Sequence, residues 1–222
     1  MNLLLTLFYF NLSLNANLAF NNHSLSDLTH HLDYLKAVAE TSGYATNFIK
    51  EKGLEWGFSL AKPIAKDVNW ALRFSYWSYD VDAKFSSAQE SIVQKYSINY
   101  YNLPISFLVY LKYGFYLKTG FPLSFAYFRF ETLKPAQPQQ EFTFWGIGSE
   151  LGIGFRLPIK FINLGIEGHY TYLPLIPRRE QELWFFNPDK YLYISSTPVQ
   201  NSREAKLDFS GLGFLVFLGV SF

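Results

Sequence analysis

The chain has no cysteine and one methionine in 222 residues, and its charges nearly cancel: 19 Lys and Arg against 18 Asp and Glu, a formal net charge of +1. Each shortage excludes something. Without cysteine there are no disulfide staples and no CxxC metal or redox pair. Without a basic or acidic excess there is no electrostatic footprint for nucleic acid and no acidic tail. Long apolar runs are missing too. Mean hydropathy is only +0.01, whereas each span of a helical membrane protein needs about 20 apolar residues. His30 and His31 are adjacent, but no spaced carboxylate or cysteine completes a metal site around them. Neither metal nor cofactor is expected.

What is abundant is aromatic: 16 Tyr, 23 Phe and 5 Trp, 20% of the chain. Aromatic richness at neutral hydropathy suits a transmembrane β-barrel, in which lipid-facing and lumen-facing residues alternate and average out. At this length one domain is expected. Residues 1–19, MNLLLTLFYFNLSLNANLA, read as a hydrophobic export segment, residues 20–32 as a periplasmic lead-in, and residues 33–222 as the barrel domain. The leading run has no Lys or Arg ahead of it, and Asn17 and Ala19 form only a partial cleavage site. The competing reading of that run is a first strand or an uncleaved helix.

Alternation predicts eight strands, near 33–42, 53–63, 67–81, 94–111, 113–130, 142–157, 160–174 and 207–222. Their connections alternate between tight (64–66, 111–114, 157–160) and long (43–52, 82–93, 131–141, 175–206). Short turns at one end and long loops at the other are the asymmetry of outer-membrane barrels, and they put both termini on the periplasmic side. Each strand has a bulky face and a face of small residues with one or two charges. Val68, Trp70, Leu72, Phe74 and Tyr76 oppose Asn69, Ala71, Arg73, Ser75 and Trp77; Ile162, Leu164 and Ile166 oppose Asn163, Gly165 and Glu167. A soluble lipocalin-like barrel would reverse this, with the bulky face inside and Lys and Glu outside. A glycine-rich, sparsely charged face fits a narrow interior better. Trp56, Trp70, Tyr76, Trp145 and Tyr172 are candidates for interfacial girdles.

The segment NYYNLPISFLVYLKYGFYLKTGFPLSF, residues 99–125, resembles the central signature of the PorT-like outer-membrane β-barrel family: an aromatic strand into a Leu-Pro step, an apolar strand, a short turn, and a strand with Gly and a nearby Pro. GLEWGFSLAKPIAKDVNWALRFSYW, INLGIEGHYTY and the terminal Phe222 extend the likeness over roughly residues 33–222. The resemblance implies an eight-stranded barrel integral to the outer membrane of a Gram-negative bacterium, with some relatives assisting secretion or acting at the cell surface. The last strand, with Phe214, Val216, Leu218, Val220 and Phe222 on one face, also resembles the signal read by the barrel assembly machinery.

The inward face carries the candidate chemistry: Lys36, Glu40, Glu55, Arg73, Lys118, Glu150, Arg156 and Glu167, four of each sign, together with His169. Ions inside a narrow barrel must be paired, so these residues are expected to form a salt-bridge plug. A conducting pore fits less well, because eight strands leave room only for side chains. Glu167, His169 and Thr171 lie on one face and suggest an acid, imidazole and hydroxyl set, as in a lipid-modifying esterase. However, i to i+2 positions stand nearly 7 Å apart along a strand, too far for a relay. Residues 175–206 hold two aromatic clusters, Trp184, Phe185 and Phe186, then Tyr191 and Tyr193, around the turn NPDK. They suggest a hairpin beyond the membrane that could bind a protein or glycan partner. The expectation is a monomeric, all-β, eight-stranded, antiparallel up-and-down transmembrane β-barrel in contact with outer-membrane lipid. It performs no catalysis and has a structural or surface-interaction role that supports secretion in some relatives; the alternatives are a lipid-modifying enzyme and a small-solute pore.

Overall fold

The computed structural model describes residues 12–134, 139–177, 184–186, 202–204 and 206–222. Its elements are β1 (Ser13–Asn21), α1 (Ser26–Thr41), β2 (Ala45–Lys52), β3 (Glu55–Ala65), β4 (Val68–Ser86), β5 (Ser91–Tyr110), β6 (Phe115–Lys134), β7 (Gln140–Ile147), β8 (Ser149–Ile159), β9 (Ile162–Tyr172), β10 (Pro174–Pro177), β11 (Trp184–Phe186), β12 (Ser202–Glu204), β13 (Leu207–Asp208) and β14 (Gly211–Ser221). All pairings are antiparallel, and they close on themselves. The sequence β1, β3, β4, β5, β6, β8, β9, β14 returns to β1, with β6 pairing both β7 and β8 as one wall strand interrupted at Gly148. The chain is a closed, eight-stranded antiparallel β-barrel, and no helix among the described residues is long and apolar enough to cross a membrane.

The first strand differs from the expected one. The wall is completed by β1, whose Leu14, Ala16 and Leu18 face out while Ser13, Asn15 and Asn17 are buried inside. Residues 13–19 are thus part of the barrel wall rather than of a segment ahead of it; residues 1–11 lie outside the described residues. The strand expected over 33–42 is instead the C-terminal part of α1. Leu25, Leu28, Leu32, Leu35 and Ala39 recur at helical spacing and pack into the apolar core. Gly43 follows at φ 83°, a left-handed position that ends the helix readily. Lys36 and Glu40 therefore do not line the lumen: they are exposed on α1 and form an i, i+4 ion pair at 4.0 Å. The segment expected as a periplasmic lead-in, 20–32, ends β1 and starts α1 at the long-connection mouth, opposite the tight turns.

The barrel has two storeys of opposite polarity, and β4 shows both. From Val68 to Tyr76 its even residues point out and are apolar, while Ala71, Arg73 and Ser75 are buried within. Past Tyr76 the same parity continues but the chemistry inverts. Trp77, Val81, Ala83 and Phe85 are buried, and Ser78, Asp80, Asp82 and Lys84 face outward. The neighbours switch at the same level: on β5 Tyr101 gives way to Asn99 and Ser97, and on β6 Tyr127 gives way to Arg129 and Glu131. Tyr76 and Tyr101 are cross-strand partners with ring centroids 5.2 Å apart, and Tyr101 and Tyr127 are 5.9 Å apart. Above them the sheet runs β13, β10, β7, β6, β5, β4, β2 and stays open between its two ends. Helix α1 packs against both β2 and β13 and fills that gap, burying Leu28 and Leu32 against Trp77, Tyr96, Phe128, Phe144 and Phe209.

Candidate functional site in the barrel lumen

At and below the tyrosine level, inward residues from all eight wall strands stack in three polar layers. The lowest lies at the tight-turn end and centres on Arg156 of β8. Its guanidinium donates to Asn163 Oδ1 (2.9 and 2.7 Å), Tyr110 Oη (3.0 Å), Ser13 Oγ (3.1 Å) and Ser221 Oγ (2.8 Å). All of these partners are neutral, so the carboxylate pairing expected for Arg156 is replaced by hydrogen bonds to hydroxyls and an amide. The reason is height: Arg156 stands near the turn, one layer of side chains below the glutamates.

The middle layer brings together Arg73 (β4), Lys118 (β6), Glu150 (β8), and Glu167 and His169 (β9), all buried. Lys118 Nζ lies 2.7 Å from Glu150 Oε1 and 2.7 Å from Glu167 Oε1. Arg73 reaches the same two oxygens at 2.9 and 3.4 Å. Tyr116 donates its hydroxyl hydrogen to Glu167 Oε2 at 3.0 Å. Two carboxylates are thus matched by two cations, which is what allows four charges to be held away from water. The lumen is narrow enough here that ring atoms occupy side-chain space elsewhere reserved for Cβ. A Cβ on Gly154 would lie 2.2 Å from the Tyr116 ring, and one on Gly165 would lie 2.1 Å from that of Phe217.

The upper layer holds Glu55 of β3. Asn21 donates to its carboxylate, and His23 Nε2 lies 3.5 Å from it. An aromatic lid closes over this layer: Tyr100 and Phe209 stack at 4.1 Å, and the His23 ring meets Trp77 edge-on at 4.8 Å. Between the lowest and middle layers is a cavity of about 50 Å³ lined by Asn15, Ser59, Arg73, Tyr110 and Lys118 among others; one of about 10 Å³ lies above the middle layer. These have room for a few water molecules at most.

Several expected residues therefore meet (Arg73, Lys118, Glu150, Glu167, His169), while Glu55 and Arg156 sit in separate layers. Sequence reading missed Ser13, Asn21, His23, Tyr110, Tyr116, Asn163 and Ser221. For Ser13 the signal was present, since Ser13, Asn15 and Asn17 alternate with Leu14, Ala16 and Leu18 inside the run taken for an export segment. Glu167 and His169 also come closer than backbone spacing suggests. Their side chains lean together, with His169 Nδ1 3.4 Å from Glu167 Oε1. The other ring nitrogen faces Glu150 Oε1 at 4.0 Å rather than a hydroxyl. Glu150, Glu167 and His169 could in principle hold a cation, but the Lys118 ammonium already bridges both glutamates.

On the outer face Phe214, Val216 and Leu218 are exposed, and Val220 and Phe222 are partly so. Strand β14 closes the barrel between β1 and β9. Of the aromatics expected at the surface, Trp184–Phe186 form β11, paired with β12 in a separate two-stranded sheet; their side chains, and Tyr191 and Tyr193 altogether, lie outside the described residues.

No protein-family model matches the chain, and no curated protein matches it. Among solved structures it is similar to the outer membrane protein OprG from Pseudomonas aeruginosa, at 10% identity over 96% of each chain with a TM-score of 0.49. The barrel described above rests on the chain's own strand pairing.

Proposed function

We propose that this chain is an integral outer-membrane protein of a Gram-negative bacterium, of the PorT-like kind. In this reading the lower storey is a plugged, non-catalytic anchor and the upper storey is a platform for surface interaction. The observation that carries the reading is the inversion of polarity at Tyr76, Tyr101 and Tyr127. An apolar exterior around a charged interior is stable only in lipid, and a polar exterior around an apolar interior only in water. The outward apolar stretch on β4, Val68 to Tyr76, is nine residues long, within the span of about 9–11 residues that a tilted strand needs to cross the hydrocarbon. Aromatic residues at both ends of the belt, Trp70 below and Trp56, Tyr76, Trp145 and Tyr172 above, fit its interfaces.

The neutralised middle layer supports a plug. An enzymatic role finds less support, because both nitrogens of His169 face carboxylates and none faces a nucleophile. The end of β10 at Pro177 and the start of β13 at Leu207 lie on the side of the upper storey, where a protein or glycan partner engaged in secretion or adhesion would be met. The test is topological. Single cysteines placed at Asp82 in the upper storey and at Lys66 in a tight turn should differ on intact cells, with only the first reached by a membrane-impermeant maleimide. Equal labelling of both, or recovery of the protein in the soluble fraction, refutes the reading.

A further inference from the structure

The charges of the lumen are matched layer by layer except at the tight-turn end. In the middle layer Arg73 and Lys118 offset Glu150 and Glu167, and Glu55 sits above them, held by Asn21 and His23. Arg156, in the lowest layer, has only neutral partners: Asn163, Tyr110, Ser13 and Ser221. One positive charge is therefore left over below the middle layer. The cavity of about 50 Å³ lies beside it, with Arg156, Arg73, Lys118 and Asn17 all in its wall. Two donors on these residues, Arg73 Nε and Asn17 Nδ2, have no acceptor among the described residues, although Arg73 and Asn17 are only 7% and 5% exposed. Lys118 commits two of its three ammonium hydrogens to the glutamates. A buried N–H without an acceptor is costly, and so is a charge without a counter-charge.

We propose that this cavity binds one small monovalent anion, a halide such as chloride, with Arg156 and Lys118 as the attracting charges and Arg73 Nε and Asn17 Nδ2 as N–H donors. Charge sets the valence. The excess below the middle layer is one positive unit, so a singly charged ion neutralises it, whereas a doubly charged one would leave a surplus beside Glu167, which also lines the wall. Volume sets the size: a buried water needs about 10–15 Å³ of such space, so 50 Å³ admits a halide together with a water or two. The water has a place, because Asn15 Oδ1 in the same wall is an unpartnered acceptor that repels an anion but accepts from water. The remaining wall is apolar, with Ala61, Ala71, Leu108, Leu215 and Phe217. Such a wall favours a large, weakly hydrated ion, since the cost of stripping water falls with ionic radius. Entry is from the tight-turn end, where Arg156 and Tyr110 are only partly buried, and the paired middle layer closes the way up. The ion is held and not passed on.

The test uses the full chain folded in maltoside micelles in sodium gluconate, titrated with sodium chloride, bromide or sulfate at constant ionic strength and followed by amide chemical shifts. Chloride and bromide should give saturable shifts at Asn17, Ser59, Arg73 and Arg156, and sulfate should bind at least about tenfold more weakly because its second charge is left uncompensated. Arg156→Gln should weaken halide binding by about tenfold or more, the loss of a charge-assisted contact, and Arg156→Lys should restore part of it. Asn17→Asp covers the case in which Arg156→Gln fails to fold. Its carboxylate supplies the counter-charge from the wall itself, so the gel shift between heated and unheated samples should stay while halide binding is lost. Equal shifts with sulfate, halide binding unchanged in Asn17→Asp or in a folded Arg156→Gln, or shifts confined to the exposed Lys66, Lys112 and Lys160 would each overturn the proposal. A protein that binds no halide yet shows no conductance fails this inference alone and leaves the plug standing.

Discussion

Replacing Lys118 by methionine removes one charge from the middle layer while keeping most of the side chain's length. The ammonium lies 2.7 Å from one oxygen of each glutamate. At an effective dielectric of about 20, each such contact is worth roughly 6 kcal/mol of attraction. Against this stands a desolvation cost of several kcal/mol per ion, so the intact cluster contributes little net stability. Half a cluster is different. In Lys118→Met two buried carboxylates share one guanidinium, and the expected loss is about 3–5 kcal/mol. Adding Glu167→Gln removes one charge of the other sign and should recover most of that loss, to within about 2 kcal/mol of the original. The measurement is urea unfolding in lipid vesicles, followed by tryptophan fluorescence and by the gel shift between heated and unheated samples. If Lys118→Met stays within about 0.5 kcal/mol of the unmodified protein, or if the double variant is as unstable as the single, charge pairing is not what holds this layer.

Four further outcomes can be checked. Purified protein in planar bilayers should show no large stable conductance, because the cavities described between the paired layers are about 50 and 10 Å³; reproducible porin-sized steps would contradict the plug. Leu32→Ala in α1 should cost about 2–5 kcal/mol locally, read as faster proteolysis of residues 22–52 with the heat-dependent gel shift of the barrel unchanged; simultaneous loss of both would mean that the storeys are not separable. Changing Phe222 to Asp, or Val216 to Asp on the lipid face of the closing strand, should block assembly while synthesis continues, so a normal barrel in the outer-membrane fraction would count against a role for β14 in recognition. Replacing residues 180–203 by Asn-Gly should leave the barrel folded and remove surface binding, and a tag at Asp189 should be labelled on intact cells; labelling only after permeabilisation would place that connection in the periplasm.

Much of the wall was legible because strand alternation is a local property. Val68 to Tyr76 and Ile162 to Ile166 sort their side chains by parity whatever surrounds them, and tight turns alternating with long connections are visible along the chain. Two stretches misled for the same reason, a local pattern that serves two structures. Ser13–Asn21 is apolar enough to look like an export segment, yet its small polar alternate positions make it a wall strand. Leu28, Leu32, Leu35 and Ala39 carry helical spacing, but inside a chain of strands the region around them reads as one more strand.

The sequence by itself determined that certain residues face inward, and therefore that Arg73, Lys118, Glu150 and Glu167 had to find opposite charges. Only the tertiary structure decided which ones meet. Arg73 and Glu167 are 94 positions apart in the chain, and closing the barrel with a given stagger sets the height of every inward residue. That height gives Lys118 two carboxylates and gives Arg156 none. The same holds for the change at Tyr76. Parity continues unbroken from Val68 to Phe85, but whether an inward position should be charged or apolar depends on what fills the interior at that level. Below it, that is the opposite wall's glutamates; above it, it is α1, brought into the gap between β2 and β13 by contacts that no local stretch of sequence encodes.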